Sequence, residues 1–138
     1  MKQATAAESE AGSTELVPLE SRQDAERIAL LAAERKATDV RVLRVRELVQ
    51  YTDFFVICSA RSDRQVAAIR EHVQATMKAE RGLRPLSVEG TDTHQWAVID
   101  FGEVVVHIFF EPVREFYQLE SLWSDAKEIP VDLPELHN

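Results

Sequence analysis

The chain has 138 residues, 45% of them hydrophobic and 29% charged, which is the composition of one ordinary globular domain rather than of two domains or a disordered chain. A formal net charge of −8 argues against a protein that wraps nucleic acid. The single cysteine, Cys58, excludes an internal disulfide and fits a reducing compartment.

No apolar run approaches the roughly 20 residues that a membrane helix needs. The N-terminal segment lacks the apolar core of a secretory signal, and it carries no arginine before Arg22, unlike a transit peptide. A cytoplasmic location is therefore expected. The charge is unevenly spread. Residues 21–84 hold 13 Lys/Arg against 9 Asp/Glu, for +4, whereas residues 85–124 hold only Arg114 against seven acids, for −6. A surface built from the second half would attract a basic partner and repel phosphate.

Residues 1–18 are rich in Ala, Ser, Glu and Thr without an apolar period, and read as a disordered acidic tail. One domain is expected over residues 19–126. Ser21 and Asp24 resemble a capping box, with Ile28, Leu31 and Ala32 on a helical stripe that runs to about Lys36. Val40, Val42 and Val45 suggest a strand. The continuous run from Phe54 to Cys58 suggests a second strand, buried on both faces. Ser62 and Gln65 cap the clearest helix, whose stripe is Val66, Ile69, Val73 and Met77, and Gly82 ends it. A short strand is expected over 85–88.

Two β-rich runs follow, 95–100 and 104–110, joined by a Phe101-Gly102-Glu103 hairpin signal. Pro112 stops the second strand, a closing helix is expected from Arg114 to about Trp123, and residues 127–138 read as an acidic tail without periodicity. The order predicts an α/β (α+β) fold, a mixed sheet of about five strands flanked by helices.

With Phe101-Gly102 as the two-residue turn, Asp100 pairs with Glu103, Val98 with Val105, and Trp96 with His107. Side chains alternate across a strand, so these six share one face. The opposite face is wholly apolar and suits packing against helices. The first face sets a large aromatic and an imidazole beside two carboxylates, as an interface for a basic partner would. A Trp96 that is simply core, with solvated turn carboxylates, fits the pattern equally well.

At these residues the sequence resembles the ribosomal silencing factors, the Iojap-like family. The segments that carry the likeness are TDFFVIC (52–58), SDRQVAAI (62–69), EG (89–90), the hairpin from Trp96 to Phe109, and R-x-F-Y-x-L-E-x-L-W (114–123). The resemblance implies a nucleotidyltransferase-like fold without catalytic residues or cofactor. It also implies docking on a basic protein of the large ribosomal subunit, at the face that meets the small subunit. Subunit joining would then be blocked and translation repressed under nutrient limitation, and some members form homodimers when free.

Carried over position by position, the partner-binding residues are Glu89, Trp96, Asp100, Phe101, Glu103 and His107, with Tyr117, Glu120 and Trp123 on the closing helix. Ala60-Arg61 stand where the family has Gly-Thr, so that turn is expected to differ.

Sharper chemistries find less support. The alternative reading is a divergent nucleotidyltransferase-like enzyme or a nucleotide-binding regulator; the enzyme needs an Asp-x-Asp pair to hold magnesium, none occurs, and the one Gly-Ser step (Gly12-Ser13) lies in the tail. No Walker loop or Gly-x-Gly-x-x-Gly is present. Asp92, His94 and His107 lack the close pairs of zinc sites, and an interface is the better reading of them. Cys58, inside an apolar strand, reads as a small buried hydrophobe and not a nucleophile.

Overall fold

The computed structural model describes residues 7–118, 121 and 124–133, with side chains from residue 20 onward except at 117. Its elements are α1 (Ala7–Glu34), β1 (Thr38–Arg44), β2 (Phe54–Ala60), α2 (Asp63–Arg81), β3 (Ser87–Glu89), β4 (Trp96–Asp100), β5 (Val104–Phe110), α3 (Glu111–Tyr117) and β6 (Lys127–Ile129). The strands form one mixed sheet in the order β3-β4-β5-β2-β1-β6, in which only β2 and β5 run parallel. No described helix is long and apolar enough to cross a membrane.

The central strand shows why the apolar run matters. All seven residues of β2 are buried, because neighbours flank it on both edges and side chains cover both of its faces. One face carries Phe54, Val56 and Cys58, joined by Val42, Ala97, Ile99, Val106 and Ile108 under α1 and α2. The other carries Phe55 and Ile57, with Leu43, Val105 and Phe109.

Helix α2 follows its sequence signals closely. The Ser62 hydroxyl accepts from the Gln65 backbone N–H at 3.0 Å, and Gly82 at φ 64° closes the C-terminus. Val66, Ile69, Val73 and Met77 are fully buried, each contributing about 1.5–3 kcal/mol. Helix α1 packs against α2 through paired charges, with Arg27 bidentate to Glu80 at 2.9 and 2.8 Å.

Three expectations need correction. The first helix begins at Ala7 instead of Ser21, inside the stretch read as a disordered tail. The Ala and Glu of that stretch favour a helix even where no apolar stripe marks one. The segment read as a structureless C-terminal tail supplies β6, whose Ile129 is buried opposite Val42 at the sheet edge. The mixed sheet thus has six strands, where about five were expected. The closing helix starts at Glu111, since Pro112 fits the first turn of a helix as well as it stops a strand. Its expected extension to Trp123 falls largely on residues outside those described.

The Glu-Gly step before β4 is a tight constraint. Gly90 sits at φ 79°, and a Cβ there would lie 2.0 Å from the Trp96 carbonyl oxygen, a backbone atom that cannot step aside. Gly90→Ala should therefore destabilise the domain by about 2–3 kcal/mol, measured as a lower urea midpoint with unchanged slope. A wild-type midpoint would contradict this geometry.

Candidate docking face

The hairpin is built around a turn one residue later than the expected one. The Phe101 N–H donates to the Val104 carbonyl at 2.9 Å, so Gly102 and Glu103 are the two central residues. Gly102 has φ 99°, and a glycine at the first central position is what the primed hairpin turns require. Asp100 therefore faces Val105, Val98 faces His107, and Trp96 faces Phe109. The expected pairing is off by two residues, and a shift of two leaves each side chain on the same side of the sheet.

That rule decides which expected residues share a face. Trp96, Val98, Asp100, Val105 and His107 lie together on the face away from α1 and α2, joined by Phe109. Glu89 joins them, because it pairs with Val98 in the neighbouring strand. Glu103 is exposed at the tip of the turn, not opposite Asp100 as expected, and the like-charge pair does not form. Phe101 points the other way. Only 5% exposed, it packs in the helix-covered core and offers no side chain to a partner. Tyr117 ends α3 with its side chain undescribed, and Glu120 and Trp123 lie outside the described residues.

Aromatic rings dominate the centre of the face. The Trp96 indole stacks on Phe109 with centroids 4.7 Å apart, and its Nε1–H donates to Nδ1 of His107 at 3.2 Å. Phe55 meets His107 edge-on at 5.0 Å. Each ring pair is worth about 0.5–1.5 kcal/mol beyond its buried area, so the cluster is a rigid platform. Trp96 keeps part of its surface exposed. Trp96 thus packs against Phe109 without being fully buried.

Around the rings lies an uneven rim. Tyr51 is 63% exposed and close enough to Asp100 for that carboxylate, after burial, to raise its phenol pKa. Phe116 on α3 is 79% exposed, and together with Trp96, Val113 and Pro112 it bounds a cleft of about 390 Å³. Sequence reasoning passed over Tyr51 and Phe116. Tyr51 sits in a connection without periodicity, and Phe116 is the neighbour of the tyrosine that was singled out. Asp100 Oδ1 accepts from the Gly102 N–H at 2.8 Å. Glu89, Asp100 and Glu103 form no ion pair among the described residues, which leaves three carboxylates on the rim or tip of one face.

The remaining candidates are placed as follows. Cys58 is fully buried in the helix-side core, and burial pushes its thiol up to about 12, too high for a nucleophile at neutral pH. Among the described residues no three His, Cys, Asp or Glu are grouped so as to hold a metal ion. Beyond the rim, Arg114 is buried and donates to the Ser59 hydroxyl at 2.8 Å and the Asp39 carbonyl at 2.7 Å, which ties α3 to the sheet.

His107 is held neutral. Burial lowers its pKa from 6.5 to about 4. Since Nδ1 accepts from Trp96, the ring proton sits on Nε2, which is buried without a hydrogen-bond partner. The unfolded chain binds this proton below pH 6.5, while the folded chain resists it until about pH 4. The stability due to the neutral ring is thus complete above pH 6.5 and drains away on acidification, at up to about 1.4 kcal/mol per pH unit. Urea titrations at several pH values should show wild type losing its advantage over His107→Phe across that window. A difference that stays flat with pH would show that the ring is not held neutral.

With the face described, its relatives can be compared. A family profile described as "Ribosomal silencing factor during starvation" matches residues 18–138. The chain is 41% identical over 107 residues to "Protein Iojap, chloroplastic" of Zea mays, covering 78% of this chain and 45% of that one. It is 36% identical over 99 residues to "Ribosomal silencing factor RsfS" of Bacillus subtilis, covering 72% and 83% respectively. "Mitochondrial assembly of ribosomal large subunit protein 1" of Mus musculus is 34% identical over 106 residues, covering 73% and 45%. The chain therefore spans less than half the length of the maize and mouse relatives. A crystal structure of a Chromobacterium violaceum protein superposes with a TM-score of 0.70 at 28% identity, covering 82% of this chain and 89% of that one. A fold matched over its length and a profile matched over nearly the whole sequence agree: the chain belongs to the ribosomal silencing factor family.

Proposed function

We propose that this chain represses translation by docking its open sheet face on a basic protein of the large ribosomal subunit, where it obstructs joining of the small subunit. The role is non-catalytic and needs no cofactor. The observation that carries it is the combination on one face of a rigid, partly exposed Trp96 platform with unpaired carboxylates around it. Protein interfaces concentrate affinity in such aromatic centres and take their partner preference from the charged rim.

The family description and the mouse relative's name both point to the ribosome, and the latter to its large subunit. Glu89, Asp100 and Glu103 lie in the acidic half of the chain, so a surface rich in Lys and Arg is the matching partner. Phe116 and the cleft beside Trp96 give room for an apolar side chain from that partner. His107 contributes by holding the indole edge in place and not by titrating, because it stays neutral at physiological pH.

Sedimentation with separated subunits tests the proposal. Wild type should travel with the large subunit alone and lower the yield of joined ribosomes. Trp96→Ala should weaken association by about thirtyfold or more, the loss typical of a central anchor. Trp96→Phe keeps a ring over Phe109 and controls for folding. Glu89→Lys and Glu103→Lys, both at exposed positions, should slow association by about tenfold at low salt and less at high salt. Wild-type association by a folded Trp96→Ala variant would sink this assignment of the face.

A further inference from the structure

We infer that the helix layer, on the opposite side from the docking face, is a second interface that accepts the phosphate backbone of RNA. This deepens the proposal above and rests on it for the identity of the RNA, which would be ribosomal RNA beside the docking protein.

The cations of the first half are not equivalent. Arg22, Arg27 and Arg81 are neutralised by Glu26, Glu80 and Asp24. Arg35, Lys36, Arg61, Arg64, Lys78 and Arg84 form no ion pair among the described residues, and all six are exposed. Four of them converge at one end of the helix pair. The Gln65 amide donates to the carbonyls of Arg35 and Lys36 at 3.1 and 2.9 Å, and its oxygen accepts from the Arg61 N–H at 2.7 Å. One side chain thus laces the end of α1 to the start of α2, with Arg64 adjacent. Lys78 and Arg84 line an open cleft of about 850 Å³ along α2, where Ala75, Ala79 and Pro85 leave the surface low.

From Arg64 to Lys78 the helix rises about 21 Å, so exposed cations mark both ends of a length that spans several phosphates, with Glu71, paired to Arg70, between them. The acids nearby do little to cancel these charges. Glu71 sits 3.5 Å from Arg70, and Asp63 is the one acid of α2 without an ion pair among the described residues. The shape selects the partner. Small-molecule sites enclose their ligands, and this cleft is open. An acidic protein would be expected to meet a large aromatic or aliphatic anchor, and the apolar residues lining this cleft are the small Ala75, Ala79 and Pro85. A row of exposed cations beside small side chains is what a phosphodiester backbone needs. The net charge of −8 then makes RNA binding by the free chain weak, and docking through the acidic face is what would bring this side to RNA.

The test is the salt dependence of binding to large subunits between about 50 and 200 mM salt. Each phosphate contact contributes about 0.7–0.9 to the slope of log affinity against log salt, so Arg64→Ala/Lys78→Ala/Arg84→Ala should lower the slope by roughly 2. Trp96→Ala should lower affinity and leave the slope alone. Alongside, the free chain is titrated with a duplex RNA fragment at about 50 mM salt; wild type should bind weakly and the triple variant at least tenfold more weakly. RNA binding without subunit binding would support this interface while removing the docking proposal. An unchanged slope in the triple variant would overturn the inference. A lowered slope with no RNA binding by wild type would also overturn it, in favour of an acidic protein partner.

Discussion

The arrangement of the sheet depends on one carbonyl. Glu103, at the tip of the β4–β5 turn, accepts the backbone N–H groups of both Asp53 and Phe54 at 3.0 and 3.1 Å. This contact fixes where β5 begins against β2, and seven parallel pairs follow from Phe54–Val104 to Ala60–Phe110. Because the turn also fixes β4 against β5, the same carbonyl aligns Trp96 with Phe109 and Val98 with His107. Parallel strands have no turn of their own to set their register. Here a hairpin that ends beside β2 supplies it, and the aromatic platform follows from that alignment.

The two sides of the sheet then diverge in character. Helices cover one side and complete a core of mostly aliphatic side chains that includes Cys58. The other side has a smaller cluster around Phe55 and Phe109, over which α3, the connection after β1 and Ala126 before β6 contribute side chains. The open area carries Glu89 and Asp100 of the acidic half, while α1 and α2 carry many of the cations of the basic half. A small domain with such polarity fits between partners of unlike charge.

How much of this could be read in the sequence depended on whether a local rule was at stake. Helix α2 was legible to within a residue because Ser62, Gln65 and Gly82 each perform a local task. The face shared by Trp96, Asp100 and His107 was legible although the turn was placed one residue early, because the error moved the register by two and spared the alternation. Phe101 was misjudged for the same reason in reverse. As the residue next to Asp100 it must face the core once the strand continues through it. Strand β6 has three residues and a single buried side chain, Ile129, so its existence is decided by the free edge of β1 and not by any period of its own. The exposure of Phe116 depends on how α3 is anchored by the buried Arg114, which only the assembled sheet reveals.

The claim that the open face meets a basic ribosomal protein is tested most directly by a photoreactive side chain placed at position 103, on the tip of the turn, in the presence of separated subunits. The expected result is a single cross-link to a basic protein of the large subunit, lost when Trp96 is replaced by Ala and absent with small subunits. A cross-link equally abundant with both subunits, or one that persists unchanged in the Trp96→Ala variant, would contradict it.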